Sequence, residues 1–444
     1  MRAVRTAALI ASALLLIPIS ASGASGASDQ DQHSDNIKQL AQVPMKMGGS
    51  ALAEGSDLAF RGNLVFAGSY QGMGIYKILP NAPYLKQISF FHCAGAQGDI
   101  VLWKHYAFLA LDSGSSEQTN VCNNTNDSVG KEGVRIVDIS DIRQPRQVGF
   151  VETDCGSHTH SLLPDGNTAY IYVQSYPLGA QTSKCSVATH RKISIVKVPG
   201  DDPASAKVTS TFDVSPEIGC HDVDFFPQKH IAAAACIGES QIWDIKDPEH
   251  PELISRIYNP AIQIHHSAAI TWDGKMLALG DEMLGSITGT CPGIEQGAPG
   301  AIWFYDITDP ANPVLKGHFN TPRNEPPDSV EEASYTACTT HNYGIVPMND
   351  TKKYIVTIPY RASGLSVVDF SDPANPKELA YYVQLNDGKI PDIWCAYWYN
   401  GRIYTNDNAA QRGVSVYEMD GLGASDAHSY TGIMNPQTQI PSFR

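Results

Sequence analysis

The chain of 444 residues carries a formal net charge of −15, and 42% of its residues are hydrophobic. This acidity, together with the lack of any Lys/Arg cluster, argues against nucleic acid or an anionic membrane surface as a partner. The length exceeds that of a usual single domain, so we expect several domains or a repeat architecture. The composition does not indicate the oligomeric state.

The N-terminal segment has the pattern of a secretory signal peptide. Two arginines precede an apolar segment at residues 7–19, and mostly small residues fill positions 20–27, as at a signal cleavage site. The apolar segment is too short for a confident transmembrane helix. We therefore expect residues 1–27 to be a cleaved signal peptide and residues 28–35 a linker. The mature protein is expected to be secreted, periplasmic or at the cell surface, without a membrane span; an uncleaved anchor is the alternative.

A segment rich in β-branched and aromatic residues, as is typical of strands, recurs along the chain. Its clearest copies end in an acidic turn with nearby prolines, where Asp can bond backbone amides and Pro ends the strand. Weaker copies lack this ending. The clear copies lie at residues 133–141, 241–248, 301–310 and 364–373, and the weaker ones at 74–78, 192–198 and 413–418.

The repeating unit contains four strands, because two further strand-like runs precede each copy and one follows most copies. Seven such units predict an all-β fold, a seven-bladed β-propeller over residues 36–420. The last unit lacks its fourth strand, and residues 36–44 resemble an isolated strand that completes it and closes the ring. Residues 421–444 are predicted to be a C-terminal tail. A β-sandwich array or a β-solenoid is the alternative fold. The predicted blades are 57–91, 99–152, 160–213, 221–259, 266–320, 341–383 and 392–419.

Two of the repeat copies resemble a known family. Residues 134–141 and 364–373 are similar to the repeat that names the LVIVD-repeat proteins, bacterial β-propellers of mostly unassigned function. The resemblance extends over nearly the whole mature chain, and it implies a propeller fold and export without implying an activity. It also includes the segments at residues 155–160, 220–222, 280–282, 340–342 and 396–401.

Four histidines occupy one position when the blades are aligned on their innermost strands. His160, His221, His266 and His341 stand at the start of this strand in the third to sixth blades. We therefore expect four imidazoles around one side of the mouth of the axial channel. All-nitrogen sites suit Fe, Cu, Zn, Mn or Ni, so the pattern predicts a transition-metal centre of unknown identity. The alternative is that each histidine bonds a neighbouring backbone carbonyl and no metal is bound.

Other side chains are candidates for roles beside this column. His158 and His265 each adjoin a column member, and they could act as general bases or as partners that orient the ligands. Asp281 and Glu282 end a strand of the fifth blade on the same face. They are candidates for an oxygen ligand, and Glu282 also for a catalytic acid or base; solvated loop carboxylates are the alternative.

Two further residues complete the candidate site. Asp222 starts a strand, where a carboxylate usually satisfies backbone amides, although it is also a candidate ligand. Trp394 lies in a dense aromatic run and could face the channel mouth and stack on a ligand.

Long loops on the histidine face carry most of the nine cysteines. In an exported protein these cysteines are expected to form disulfides that hold the loops, and the odd number leaves Cys395 as a buried thiol. Connectivity does not follow from the sequence. Thiolate ligation beside the histidines is the competing interpretation if Cys220 or Cys338 is reduced. The expected pairs are Cys93 with Cys122, Cys155 with Cys185, Cys220 with Cys236, and Cys291 with Cys338.

Three functional hypotheses follow. The first is a metal centre that supports oxidative, lyase or hydrolytic chemistry on a small-molecule or polysaccharide ligand at the loop-covered face. The second is a non-catalytic propeller that binds protein or polysaccharide at a surface or matrix. The third is a metal that only stiffens the scaffold. The sequence does not decide whether the protein is an enzyme.

Overall fold

The computed structural model describes residues 31–95, 97–112, 122, 131–175, 185–282, 300–324, 339–385 and 391–440. These residues are almost entirely strands and turns. The helical elements are one short helix, α1 (Val187–His190), and 3-10 turns at Pro203–Ser205, Pro227–Lys229 and Pro322–Asn324. No helix in the described ranges has the length and apolar character needed to cross a bilayer.

The strands in chain order are β1 (Gln32–His33), β2 (Ile37–Val43), β3 (Lys46–Gly48), β4 (Ala51–Leu52), β5 (Gly55–Arg61), β6 (Leu64–Ser69), β7 (Gly72–Ile78), β8 (Leu85–His92), β9 (Ile100–Trp103), β10 (Tyr106–Leu111), β11 (Gly133–Asp138), β12 (Arg146–Glu152), β13 (Thr159–Asp165), β14 (Thr168–Gln174), β15 (Lys192–Pro199), β16 (Lys207–Asp213), β17 (Asp222–Phe226), β18 (Ile231–Cys236), β19 (Glu239–Asp244), β20 (Glu252–Ile257), β21 (His265–Ile270), β22 (Met276–Asp281), β23 (Ile302–Asp306), β24 (Val314–Phe319), β25 (Asn342–Val346), β26 (Ile355–Pro359), β27 (Leu365–Asp369), β28 (Lys377–Val383), β29 (Ile393–Tyr399), β30 (Arg402–Asp407), β31 (Val414–Met419) and β32 (Ile433–Met434).

The strands form a β-propeller arrangement, as predicted. Five blades are separate antiparallel sheets: β5–β8 with β32 on the edge, β9–β12, β13–β16, β17–β20 and β21–β24. The prediction of seven separate blades is corrected, because the strands expected in the sixth and seventh blades belong to one nine-stranded sheet. The physical cause is a parallel pairing of the two inner strands, in which Asn342 and Tyr343 of β25 lie opposite Cys395 and Ala396 of β29.

The N-terminal strand expected at residues 36–44 is β2. It pairs antiparallel with β31 along its whole length, from Ile37 opposite Met419 to Val43 opposite Val414. The preceding residues, predicted as a linker, include β1, which pairs with β28. Both edges of the nine-stranded sheet are therefore strands from the N-terminal part of the chain.

The acidic turns of the repeat have the predicted chemistry. The carboxylates of Asp138, Asp244, Asp306 and Asp369 each accept a hydrogen bond from the backbone N–H two residues later, at 2.8–3.0 Å. Such Asx turns offer the backbone a partner where the strand ladder stops. The recurring Asp therefore ends the third strand of its blade and has a structural role.

Apolar side chains fill the spaces between neighbouring blades. In β18 a run of four alanines is fully buried, which lets the inner strands approach closely, while Trp243 of the adjacent β19 is also fully buried. Burying one large apolar side chain contributes roughly 1.5–3 kcal/mol. This packing holds the starts of the inner strands in fixed positions, and the candidate site is built there.

Residues 421–440, predicted as a tail, contact four inner strands. Met434 pairs with Phe60 of β5, the Asn435 side chain bonds the backbone of Leu102 in β9, and Thr438 Oγ1 donates to the Leu162 carbonyl in β13. The Gln439 N–H donates to the Phe225 carbonyl in β17. These contacts lie away from the strand starts that carry the histidines.

Candidate metal centre

His266 reaches the site through a β-bulge. In the pairing of β21 with β22, His265 is opposite Asp281 and Ser267 is opposite Gly280, so His266 is the extra residue. Bulges disrupt the ladder and redirect a side chain, often beside functional sites. Nδ1 of His266 lies 2.7 Å from Ser267 Oγ, whose own hydrogen is directed at Asn342 Oδ1 at 3.4 Å. The serine therefore accepts the Nδ1–H, and the lone pair of His266 is on Nε2.

His341 has the same tautomer for a simpler reason. Its Nδ1 lies 2.7 Å from the backbone carbonyl oxygen of Trp394. A carbonyl can only accept, so Nδ1 carries the hydrogen and Nε2 carries the lone pair. Trp394 is also a bulge residue, since Ile393 and Cys395 are opposite Asp407 and Asn406.

The Glu282 carboxylate lies against both Nε2 atoms. Oε2 is 3.2 Å from Nε2 of His266, and Oε1 is 3.7 Å from Nε2 of His341. One ligand atom from each of the three residues lies within 4.8 Å of the other two. The buried Nε2 of His266 makes no hydrogen bond within the described chain, although the carboxylate is close. Three acceptor atoms thus converge on one point, which is the arrangement that a metal cation requires.

Two more imidazoles adjoin this triad. The His221 ring stacks on the His266 ring with centroids 3.5 Å apart, and its centroid is 6.4 Å from that of His341. The His158 ring lies 5.0 Å from the His221 ring. Nδ1 of His158 is 2.6 Å from Oδ2 of Asp112. Predicted as an accessory, His158 is therefore part of the cluster, and a carboxylate orients it.

Burial sets the protonation of the cluster. It lowers the pKa of His221, His266 and His341 well below the usual histidine value, with additional repulsion from neighbouring imidazoles or from Arg361. Burial raises the pKa of Glu282, while the Arg361 guanidinium opposes that shift. The three imidazoles are accordingly neutral near pH 7, which is the form that binds metal.

His160 and His265 are not in the cluster. Nδ1 of His160 is 3.1 Å from Ser157 Oγ, and Nε2 is 3.2 Å from the Phe108 carbonyl oxygen, so protein groups engage both nitrogens. The structure therefore does not bring the predicted ligand His160 to the other three. Nδ1 of His265 bonds Ser240 Oγ at 2.8 Å, which turns this ring away from His266. Burial lowers the pKa of both His160 and His265 to about 4.

Asp281 and Asp222 serve the backbone. Asp281 Oδ1 accepts from the N–H groups of Gln263 and Ile264, and Oδ2 accepts from the Gly300 N–H, all at 2.9–3.0 Å. Asp222 Oδ1 accepts from the Val223 N–H at 3.0 Å. Burial raises the pKa of Asp281 to about 6 and that of Asp222 to about 8. Neither carboxylate joins a metal-binding group within the described residues.

Trp394 and Arg361 form one side of the site. The Trp394 ring lies 4.4 Å from the His341 ring, and the Arg361 guanidinium carbon lies 4.8 Å from the Trp394 ring centroid. Arg361 Nε donates to Asp392 Oδ1 at 2.7 Å. Sequence reasoning missed Arg361. The available signal was a charged residue two positions after a buried strand, β26, on the face that carries the histidines.

Three predicted disulfides are present, namely Cys93–Cys122, Cys155–Cys185 and Cys220–Cys236. The predicted partners Cys291 and Cys338 lie outside the described residues, as do most residues of the long loops. Cys395 is a buried thiol, as expected. A second metal-competent group contains Cys155, Cys185 and His190, but its two sulfurs are joined in a disulfide.

Comparison with known proteins identifies a repeat in the chain. The LVIVD repeat matches residues 305–321 and 358–383, which include the strands β24, β27 and β28. No curated protein matches the chain. Among solved structures, the crystal structure of a functionally unknown protein from Desulfotomaculum acetoxidans DSM 771 is similar to this chain. The identity is 12% and the TM-score 0.48, over 74% of this chain and 84% of that chain.

Proposed function

Since this chain is an LVIVD-repeat protein with a β-propeller arrangement, we propose that it holds one divalent transition-metal ion where its inner strands begin. The ligands are Nε2 of His266, Nε2 of His341 and the Glu282 carboxylate. The observation that carries the proposal is the convergence of these three acceptors within 4.8 Å of one another. Two imidazoles and one carboxylate with open positions suit Fe(II), so iron is the first metal to test, followed by Mn, Cu, Zn and Ni.

The surrounding residues orient the ligands and shield the two imidazoles from solvent. Ser267 and the Trp394 carbonyl each accept an Nδ1–H, and this kind of partner fixes ring orientation and raises ligand basicity. His266 and His341 are each at most 2% exposed, while the Glu282 side chain is 21% exposed. The carboxylate is thus the ligand on the solvent side, where a small molecule can approach.

We further propose that the centre is catalytic. A bound metal ion would supply a Lewis acid or redox centre with positions open to a ligand. The chain itself would supply a proton acceptor: Asp112 engages Nδ1 of His158, so Nε2 of His158 carries the basic lone pair. The ring contact with His221 brings this base to the edge of the cluster. A base in this position would accept a proton from a substrate or from a water molecule.

The architecture that we propose around the site is a ring of seven blades. The nine-stranded sheet then represents two blades, β25–β28 and β29–β31 with β2. Side-chain contacts from β29 to β5 support closure of the ring, since Tyr397 donates to Asp57 Oδ1 at 2.6 Å and Tyr399 to the Gly62 carbonyl at 2.9 Å. We also propose that the protein is exported, which the three disulfides support.

Metal titration of apoprotein tests the proposal. Wild-type protein is expected to take up one equivalent of Fe(II) under anaerobic conditions, and the Glu282→Gln and His266→Ala variants are expected to lose it. His265→Gln is the matched control, because His265 is the neighbouring buried histidine and lies outside the cluster. Full uptake by Glu282→Gln and His266→Ala would contradict the ligand set. Unfolding of the wild type on metal removal would favour a purely structural metal over a catalytic one.

A further inference from the structure

The Arg361 side chain has hydrogen-bond donors that the described part of the protein does not engage. The residue is 5% exposed. Its Nε donates to Asp392, and within the described ranges Nη1 and Nη2 have no hydrogen-bond acceptor. A guanidinium offers five donors in a planar fork that matches a carboxylate. The two Nη groups therefore remain available for an acceptor that the described residues do not supply.

Arg323 illustrates the contrast. Its Nη1 and Nη2 bond both oxygens of Glu378 at 2.8 and 2.6 Å, and Nη2 also bonds Ser366 Oγ. Like Arg361, this arginine lies over an aromatic ring, that of Tyr381. The Arg323 guanidinium thus has its carboxylate partner within the protein. The Nη groups of Arg361, which lies beside the proposed metal ligands, have no such partner among the described residues.

The position of Arg361 is fixed on three sides. Its guanidinium lies over the Trp394 ring, Asp392 engages Nε, and its backbone carbonyl accepts from the Ile393 N–H at 3.4 Å. Its φ is 35°, a conformation that is uncommon for residues other than glycine. Such conformations concentrate at functional sites. The fork is therefore held beside the cluster before any ligand arrives.

The charges nearby favour a monoanion. Arg361 and a divalent ion would carry three positive charges, which the carboxylates of Asp392, Glu282 and Asp112 already offset. A phosphate dianion would need more cationic groups than this face supplies among the described residues. One planar carboxylate satisfies the open fork and adds only a single negative charge.

We propose that Arg361 binds the carboxylate of a small organic acid beside the metal centre. The proposal rests on the proposed function for the reactive end of this molecule, but the contact with Arg361 is independent of the metal. The substrate class is accordingly a small monocarboxylic acid. Its carboxylate is held by Nη1 and Nη2 of Arg361, and the rest of the molecule is directed at His266, His341 and Glu282.

Calorimetric titration with acetate, benzoate and the uncharged benzamide tests this, in both metal-free and metal-loaded protein. We expect a carboxylate to bind the wild type, with at least tenfold weaker binding in Arg361→Gln and in Arg361→Lys, which keeps the charge but not the fork. Arg361→Lys keeps the positive charge beside Glu282, so this variant should still take up one equivalent of metal. Arg323→Gln is the matched control and should bind the carboxylate like the wild type, and circular dichroism verifies folding of every variant.

Several results would overturn the inference: equal binding of carboxylate by Arg361→Gln, equal binding of benzamide and benzoate by the wild type, or no carboxylate binding at all. Carboxylate binding through Arg361 in a protein that takes up no metal would refute the proposed function alone and leave this inference standing.

Discussion

The backbone carbonyl oxygen of Trp394 accepts a hydrogen bond of 2.7 Å from Nδ1 of His341. Trp394 lies in β29, and His341 directly precedes β25, the inner strand that pairs with β29. Trp394 can accept this bond because it is the extra residue of a β-bulge, which releases its carbonyl from the pairing of β29 with β30. His266 is a bulge residue as well. The β-bulges at the starts of the inner strands therefore orient the two histidine ligands. The regular strand pairing that follows each bulge holds them in place.

The serine partner of His266 is expected to tune metal affinity. Ser267→Ala removes the acceptor for Nδ1–H, which frees the ring to rotate and lowers the basicity of Nε2. We expect the metal dissociation constant to rise by about tenfold, the lower end of the range for such partners. Titration of apoprotein with Co(II) measures it.

Ser240→Ala is the control for this variant. It removes the same kind of bond from Nδ1 of His265, which is outside the cluster. Equal weakening of metal binding by both serine variants would show that the effect comes from general loosening of the strand starts.

His160 is expected to affect acid stability and not metal binding. Burial lowers its pKa to about 4 in the folded protein, against about 6.5 in an unfolded chain. The unfolded chain therefore binds an extra proton below pH 6.5, and the stability that neutral His160 provides is lost as the pH falls from 6.5 to 4. The loss amounts to roughly 3 kcal/mol, at about 1.36 kcal/mol per pKa unit.

The His160→Gln variant tests both parts of this account. Urea unfolding at pH 7.5 and pH 4.5 should show a smaller acid-induced loss of stability in the variant than in the wild type, while metal uptake is unchanged. A variant that folds and yet binds no metal would restore His160 as a ligand.

The C-terminal residues are expected to stabilise the β-propeller without contacting the metal. Gln437 Nε2 donates to Asp57 Oδ2 at 2.9 Å, and both side chains are buried. Gln437→Ala removes a donor from a buried carboxylate, so we expect a loss of about 1–3 kcal/mol in unfolding free energy. Gln228, an exposed residue that bonds the Gln439 carbonyl, provides the control variant Gln228→Ala. Equal losses in the two variants would contradict a specific role for the buried contact.

The repeat could be predicted from the sequence, but the directions in which its side chains point could not. Alternation, turn chemistry and the position of the N-terminal strand follow from local residue types, and the Asx turns and the pairing of β2 with β31 agree with them. Alignment of inner strands brought His221, His266 and His341 to one place correctly. It could not reveal that the ring of His160 turns to Ser157 and Phe108, since both a buried structural histidine and a ligand fit the same position.

Arg361 is a site residue that could not be predicted from the sequence. Its importance depends on contacts with Asp392 and Trp394, which are about thirty residues away in the chain and come together only when β26 lies beside β29. No local pattern marks an arginine whose donors are left open by the fold. Glu282 was identified from its place at a strand end, but its position between two Nε2 atoms depends on the bulge at His266.

Anomalous scattering from crystals of Fe(II)-loaded protein is the most direct test of the metal centre. We expect one peak at about 2.0–2.2 Å, the usual metal–ligand distance, from Nε2 of His266, Nε2 of His341 and a carboxylate oxygen of Glu282. A peak beside Cys155, Cys185 and His190, a peak only at surface carboxylates, or no peak after loading would contradict it.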